Sequence, residues 1–220
     1  MSAEAYWLLA GQASKQARKG IVRGQGKIIL DDDGLFHPLG VTLFWALYGW
    51  KFERSRIIAH LDWLARTFSP DYVRILCEVD WPTRSISLDW PDYIENLQQF
   101  IDCAYDRFGI RVQLTLVGGA HANHLHVATV VTTAMIGREH KVMLYEMVNE
   151  WDRLDKATIP QLITMGKYVR QNTPNLVALS TPRKRVGENT GGYGEMRSAT
   201  IAANCNTYVP HYRRSDNDLR

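Results

Sequence analysis

Two glutamates and an asparagine close the apolar run Val142–Val148, in the order Glu146-Met147-Val148-Asn149-Glu150. Along a strand side chains alternate, so Leu144, Glu146, Val148 and Glu150 share one face, and Tyr145, Met147 and Asn149 share the other. If the first face lines the inside of a barrel, Glu150 emerges at its rim. Glu146 then lies deeper, where an unpaired charge is costly, and Arg74 on an earlier apolar run is its candidate partner. Most Asn-Glu pairs are surface residues or turn and cap formers. At the C-terminal end of a buried strand, Glu150 becomes a candidate catalytic carboxylate.

The rest of the chain must supply the elements that hold such a strand. Residues 1–20 read as a short helix and a linker, and residues 21–220 as one domain. Ile21–Leu30, with Gly24-Gln25-Gly26 at its middle, suggests a small hairpin, followed by a turn at Asp31–Gly34. Strands are then expected at Val41–Leu47, Tyr72–Val79, Val112–Val117, Val142–Val148, Leu176–Ser180 and about Ala203–Val209. Between them lie helix-period segments: one opening at Glu53, with Ile57, Ile58, Leu61, Leu64, Ala65 and Phe68 as its stripe, then Asp92–Phe108, one within Val127–Ile136, and Ile159–Arg170.

Strands alternating with helices argue for parallel βαβ units, in a closed barrel or an open doubly wound sheet. A doubly wound sheet usually has a Gly-rich phosphate loop after its first strand; here that place holds Ala46-Leu47-Tyr48-Gly49-Trp50. Aromatic residues crowd the expected strand ends: Trp45, Tyr48 and Trp50 after the first, Trp81 after the second, Trp151 after the fourth, and Tyr208 and Tyr212 at the sixth. A barrel places its functional site at those ends. The expected fold is therefore α/β, a (β/α)8 TIM-barrel type with about six βα units and a short N-terminal extension and hairpin.

Composition narrows the partners. The 220 residues are 45% hydrophobic and 22% charged, with a formal charge of +3, too small to imply nucleic acid or an anionic membrane surface. The basic runs Lys15–Arg23 and Arg183–Arg185 read as solvated loop or tail. Cys77, Cys103 and Cys205 form no close pair and no metal-ligand spacing, which fits reduced core residues. No apolar run approaches the roughly 18 residues that span a bilayer. The N-terminus is a poor signal peptide, because Glu4 interrupts it and its basic residues follow the short apolar stretch Ala5–Ala10. No export is expected of the chain as written.

Asn149-Glu150 at the end of the fourth strand resembles the acid/base motif of the clan A, cellulase-like glycoside hydrolases, which often carry a further Glu four residues before the acid/base, as Glu146 stands here. Gly34-Leu35-Phe36-His37-Pro38-Leu39-Gly40-Val41 is similar to that family's lead into its first strand. Val73-Arg74-Ile75, followed by Trp81, is similar to its second, and His211-Tyr212 loosely to its sixth. The resemblance spans about residues 21–212. It implies a TIM barrel that cleaves a β-linked glycan with retention, needing no metal or organic cofactor. Glu150 would be acid/base, Asn149 would hold the sugar 2-hydroxyl and Arg74 would support the nucleophile side. The chain departs from the pattern in two ways: Trp151 stands where a Pro is usual, and the family's nucleophile belongs to a seventh strand, beyond those recognised here.

A retaining mechanism needs two carboxyls about 5–5.5 Å apart. Glu188 and Glu195, in or beside the Gly-rich stretch Gly187–Gly194, lie where a flexible loop would fix a nucleophile poorly; an inverting mechanism would also admit Glu78. Trp45, Trp81 and Trp151 are candidate stacking walls for sugar rings, or else pack within loops. His121, His124 and His126 invite a zinc reading, but their spacing is not i, i+4 and no Asp, Glu or Cys lies among them. They are taken as loop residues or, with His121 foremost, sugar contacts. His37 is expected to pack at the barrel's base, and Lys167 to be solvated. The expected partner is an oligo- or polysaccharide, with self-association or a further segment closing the barrel. The rival reading is a carbohydrate-binding or structural barrel module without a second carboxylate.

Overall fold

The structure, a computed structural model, describes residues 16–26, 28–119, 123–150, 156–180 and 207–209. An antiparallel meander comes first: β1 (Arg23–Gln25), β2 (Ile28–Asp31) and β3 (Gly34–Leu35). The expected hairpin thus gains a third strand, because the turn after Asp31 brings Leu35 back opposite Leu30.

A six-stranded parallel sheet follows: β4 (Gly40–Thr42), β5 (Tyr72–Leu76), β6 (Arg111–Val117), β7 (Val142–Val148), β8 (Val177–Ser180) and β9 (Thr207–Val209). Its spatial order is the chain order. A doubly wound sheet reverses its order at a switch point; a barrel does not, and this sheet shows no reversal. Four of the connections run through described helices. Ala46–Phe52 (α1) and Arg54–Thr67 (α2) join β4 to β5; Tyr93–Asp102 (α3), prolonged by a π-helical turn at Cys103–Arg107, joins β5 to β6. His124–Ala134 (α4) leads to β7, and Ile159–Asn172 (α5) to β8.

Every residue of β6 and β7 is buried, as expected of parallel strands covered on both faces. The helices turn their apolar stripes to the sheet: Ile57, Ile58, Leu61, Leu64 and Ala65 of α2 are all buried. A capping box starts α5, with the Thr158 hydroxyl accepting from the Gln161 amide and the Gln161 side chain accepting from Thr158 N–H. No described helix is long and apolar enough to cross a membrane. Cys77 and Cys103 are buried free thiols, and burial pushes that of Cys103 up to about 11.

The first barrel strand is shorter than expected. Val41–Leu47 reads as one apolar run, but the strand stops at Thr42 and Ala46 begins α1. Ala46, Leu47 and Trp50 then share a helical stripe that is buried; short apolar runs do not by themselves separate strand from helix. At the start of β4, a Cβ on Gly40 would fall 2.1 Å from the Tyr72 ring, so β5 can approach only a glycine here.

The meander closes the end of the barrel where the strands begin. Val22 and Phe36 pack with Met143, Leu144, Leu176 and Ala178. His37, expected in that place, is exposed; its neighbour Phe36 does the packing. A charged knot fixes the contact. The buried Asp31 carboxylate accepts from Arg18 Nε (2.9 Å) and Nη2 (2.7 Å) and from Arg111 Nη1 (2.7 Å). Arg111 Nη2 also donates to the backbone oxygens of Arg18, Lys19 and Gly20. Burial alone would raise the Asp31 pKa, but hydrogen bonds from the two guanidiniums hold it below the ordinary carboxylate value.

Breaking a buried ion pair from one side typically costs about 3–5 kcal/mol. Asp31→Asn is expected to lose stability of that order in urea unfolding at neutral pH. The stabilisation from Asp31 is present above the ordinary carboxylate pKa and is lost as pH falls through the lower folded value. The gap between variant and parent should therefore shrink on acidification.

Candidate functional site

Inside the barrel, Glu146 is fully buried. Arg74 grips its carboxylate with two parallel bonds, Nε to Oε2 at 2.6 Å and Nη2 to Oε1 at 2.7 Å. Gln113 Nε2 (2.9 Å) and Thr115 Oγ1 (2.7 Å) donate to Oε2 as well. Three neighbouring strands supply this cluster, with Arg74 opposite Gln113 and Thr115 opposite Glu146. The register between β6 and β7 slips by one residue after Val112, so Gln113 faces Leu144 and Met143 is left over. Without that extra residue Thr115 would face Tyr145, and Glu146 would turn toward the helices. The pairing of Arg74 with Glu146 is as the sequence suggested.

At the rim, strict alternation fails. Alternation puts Asn149 on the helix side with Tyr145 and Met147, yet its Oδ1 accepts from Arg74 Nη2 at 3.0 Å, on the Glu146 side. The strand ends at Val148. Asn149 N–H still donates to Val117 O at 2.8 Å, and Glu150 then takes φ +47°, a left-handed conformation that costs a non-glycine residue about 1–3 kcal/mol. Glu150 is half-buried. The Arg74 guanidinium thus reaches both the Glu146 carboxylate and the Asn149 amide.

Two further residues secure this turn. Lys156, nearly buried, donates from Nζ to Asn149 O at 2.9 Å. His124 Nε2 donates to Lys156 O at 2.6 Å. His124 is the first residue of α4, which begins three residues before the expected segment, and His126 is exposed with its backbone N–H capped by Asn123 Oδ1. Among the described residues no group of three His, Cys, Asp or Glu gathers to hold a metal. A cleft of about 250 Å³ lies between the starts of α4 and α5, lined by Asn123, His124, Leu125, Pro160, Gln161 and Thr164.

The aromatic residues divide. Phe44, just after β4, lies under the Arg74 guanidinium at 4.8 Å, and Trp81 meets Phe44 edge-on at 6.3 Å. Trp81 is 37% exposed, so these two line the mouth beside Arg74. The sequence pointed to Trp81 but passed over Phe44, whose only signal was its place at a strand end. Trp45 is engaged elsewhere: the guanidiniums of Arg56 and Arg84 lie over its ring at 4.9 and 4.6 Å, and His60 meets it edge-on. Trp50 is buried against Phe100, and Tyr48 packs on Phe52. Trp151, His121, Glu188, Glu195, Cys205, His211 and Tyr212 lie outside the described residues.

Glu78, two residues past the end of β5, accepts from Gly118 N–H through its backbone oxygen at 2.7 Å. Burial, aided by the charges of Asp80 and Asp89, pushes its carboxyl up to about 7.

Two measurements follow from these environments. Arg74→Met would leave the Glu146 charge buried without its cation and should cost about 3–5 kcal/mol in urea unfolding. The raised pKa of Glu78 makes its contribution to stability complete below its ordinary value of 4.5 and lost as pH rises through about 7. The melting temperature should fall over that interval, and Glu78→Gln should flatten the fall.

No family model and no curated protein matches the chain. Solved structures do. A cellulase, Cel5C_n, superposes with a TM-score of 0.59 at 14% identity, over 91% of this chain and 72% of its own. The exo-β-1,4-mannosidase Op5Man5 from Opitutaceae bacterium strain TAV5 gives 0.56 at 19% identity, over 71% of this chain and 34% of its own. The β-glucanase SdGluc5_26A from Saccharophagus degradans, in complex with cellotetraose, gives 0.52 at 13% identity, over 94% and 77%. At such identities the likeness is one of fold. The chain has the α/β, TIM-barrel fold of the cellulase-like glycoside hydrolases.

Proposed function

We propose that the chain is a glycosidase barrel in which Glu150 serves as the acid/base of a retaining cleavage of a β-linked glycan. The observation that carries this reading is the end of β7, where the Arg74–Glu146 pair holds Asn149 and delivers Glu150 at the strand's C-terminal edge. Catalytic groups of TIM barrels stand at that edge. The Asn149 Oδ1 accepts from Arg74, so the amide's role toward a sugar 2-hydroxyl falls to Nδ2, a donor. Phe44 and Trp81 offer apolar faces beside it for a pyranose ring. The structural neighbours, a cellulase, a β-1,4-mannosidase and a β-glucanase, favour β-glucosides and β-mannosides as the substrate class.

In this mechanism Glu150 protonates the leaving oxygen and then takes a proton from the incoming water. The nucleophile must be an ionised carboxylate. Glu78, with its pKa near 7, suits proton transfer better than attack, so the nucleophile is assigned to another carboxylate, outside the six strands of the parallel sheet. The second reading, a barrel that binds glycan without cleaving it, follows if no such carboxylate faces Glu150.

Hydrolysis of aryl β-glucosides and β-mannosides tests the first reading. Glu150→Gln is expected to lower kcat by about 10²–10⁴-fold. Equal turnover by the two proteins removes Glu150 from the mechanism. Binding of cello-oligosaccharides by both, with turnover by neither, selects the second reading.

A further inference from the structure

Lys156 is the residue that no catalytic role above has used. It is nearly buried, at 8% exposure, in a sheet-to-helix connection where a lysine would ordinarily extend into water. Its ammonium donates to the backbone oxygen of Asn149. That oxygen belongs to the peptide joining Asn149 to Glu150, the peptide whose orientation is set together with the left-handed φ of Glu150. His124 fixes Lys156 from the other side by donating to its carbonyl. A continuous chain of bonds therefore runs from α4, through Lys156, to the turn that carries Glu150.

We propose that Lys156 is the positioning residue for Glu150, holding the Asn149–Glu150 peptide so that the carboxyl-bearing residue stays in its left-handed conformation. This deepens the reading of Glu150 as acid/base and rests on it for its functional consequence, though not for its structural one. Three polar groups of Asn149 are then held by three different partners: its N–H by Val117 O, its Oδ1 by Arg74 and its O by Lys156. The first two fix the residue itself. The third acts on the peptide plane that leads into Glu150. A lysine suits the task, because an ammonium bond to a carbonyl is stronger than a neutral one and its stem packs without a further polar demand.

The test uses the 220-residue chain labelled with ¹³C and ¹⁵N, the Glu150 amide and carboxyl signals being assigned by their change in Glu150→Gln. In Lys156→Met, which keeps the stem and removes the ammonium, the single Glu150 amide signal should split or broaden away. The signals of Tyr145 and Met147 on β7 should stay. Lys156→Arg should restore the single signal, since a guanidinium can donate to the same oxygen. A sharp, unshifted Glu150 signal in Lys156→Met overturns the proposal. Should that variant not fold, His124→Gln weakens the same chain from its far end, and an unchanged Glu150 signal there overturns it equally. On aryl β-glycosides, Lys156→Met should lower kcat about tenfold with KM nearly unchanged, the pattern of a group misplaced in the transition state. The signals report the Lys156 contact whether or not the chain hydrolyses glycosides. The Glu150→Gln comparison reports the acid/base role whether or not Lys156 matters, so either idea can fail alone.

Discussion

The Glu146 carboxylate lies inside the barrel, wholly buried from bulk solvent. An ion of that kind is tolerable only when its attraction to a partner and its hydrogen bonds together offset the desolvation. Here a bidentate guanidinium, an amide and a hydroxyl share the work. The arrangement demands that β5, β6 and β7 keep one relative register, since Arg74, Gln113 and Thr115 meet Glu146 from two neighbouring strands. The rim inherits this precision. Asn149 is aligned by the same guanidinium that neutralises Glu146, so the candidate chemistry at the mouth is referenced to a charge buried below it.

The two ends of the barrel use buried charge differently. At the base, Asp31 and two arginines bind the meander to the first residue of β6, and the result is closure. At the mouth, Arg74 and Lys156 both direct donors at Asn149, and the result is orientation. Among the described residues two non-glycines take a positive φ, Glu150 at the second end and Ser69 ahead of β5 at the first. The division between closure and orientation is common in enzymes built on barrels, with stability concentrated below the strands and function above them.

Much of this was legible from residue order. The boundaries of β7 follow the apolar run Val142–Val148, and the pairing of Glu146 with Arg74 followed from the cost of burying a carboxylate. The failures have physical causes. Val41–Leu47 looked like one strand because a run of that length satisfies both a strand and a buried helical turn; packing of Trp50 against Phe100 decided for α1 beyond Thr42. Alternation puts Asn149 on the wrong side because the strand ends one residue before it. The one-residue slip after Val112, which sets the face of Glu146, leaves no trace in a hydrophobic pattern where every position is apolar or buried. Phe44 and Lys156 were missed since their roles depend on partners 30 and 7 positions away, Arg74 and the Asn149 carbonyl.

The grip of Arg111 on three successive backbone oxygens has an implication for how the chain tolerates change over time. Carbonyls are offered by any amino acid, so the arginine reads the path of the polypeptide at residues 18–20 and is blind to what hangs from it. Lys19 can drift freely in that setting. Gly20 cannot, because its φ is +73° and a Cβ would strike the Asp32 carboxylate. Relatives of this chain should therefore vary widely in the segment that seals the barrel, while one glycine, one aspartate and one arginine travel through them as a set.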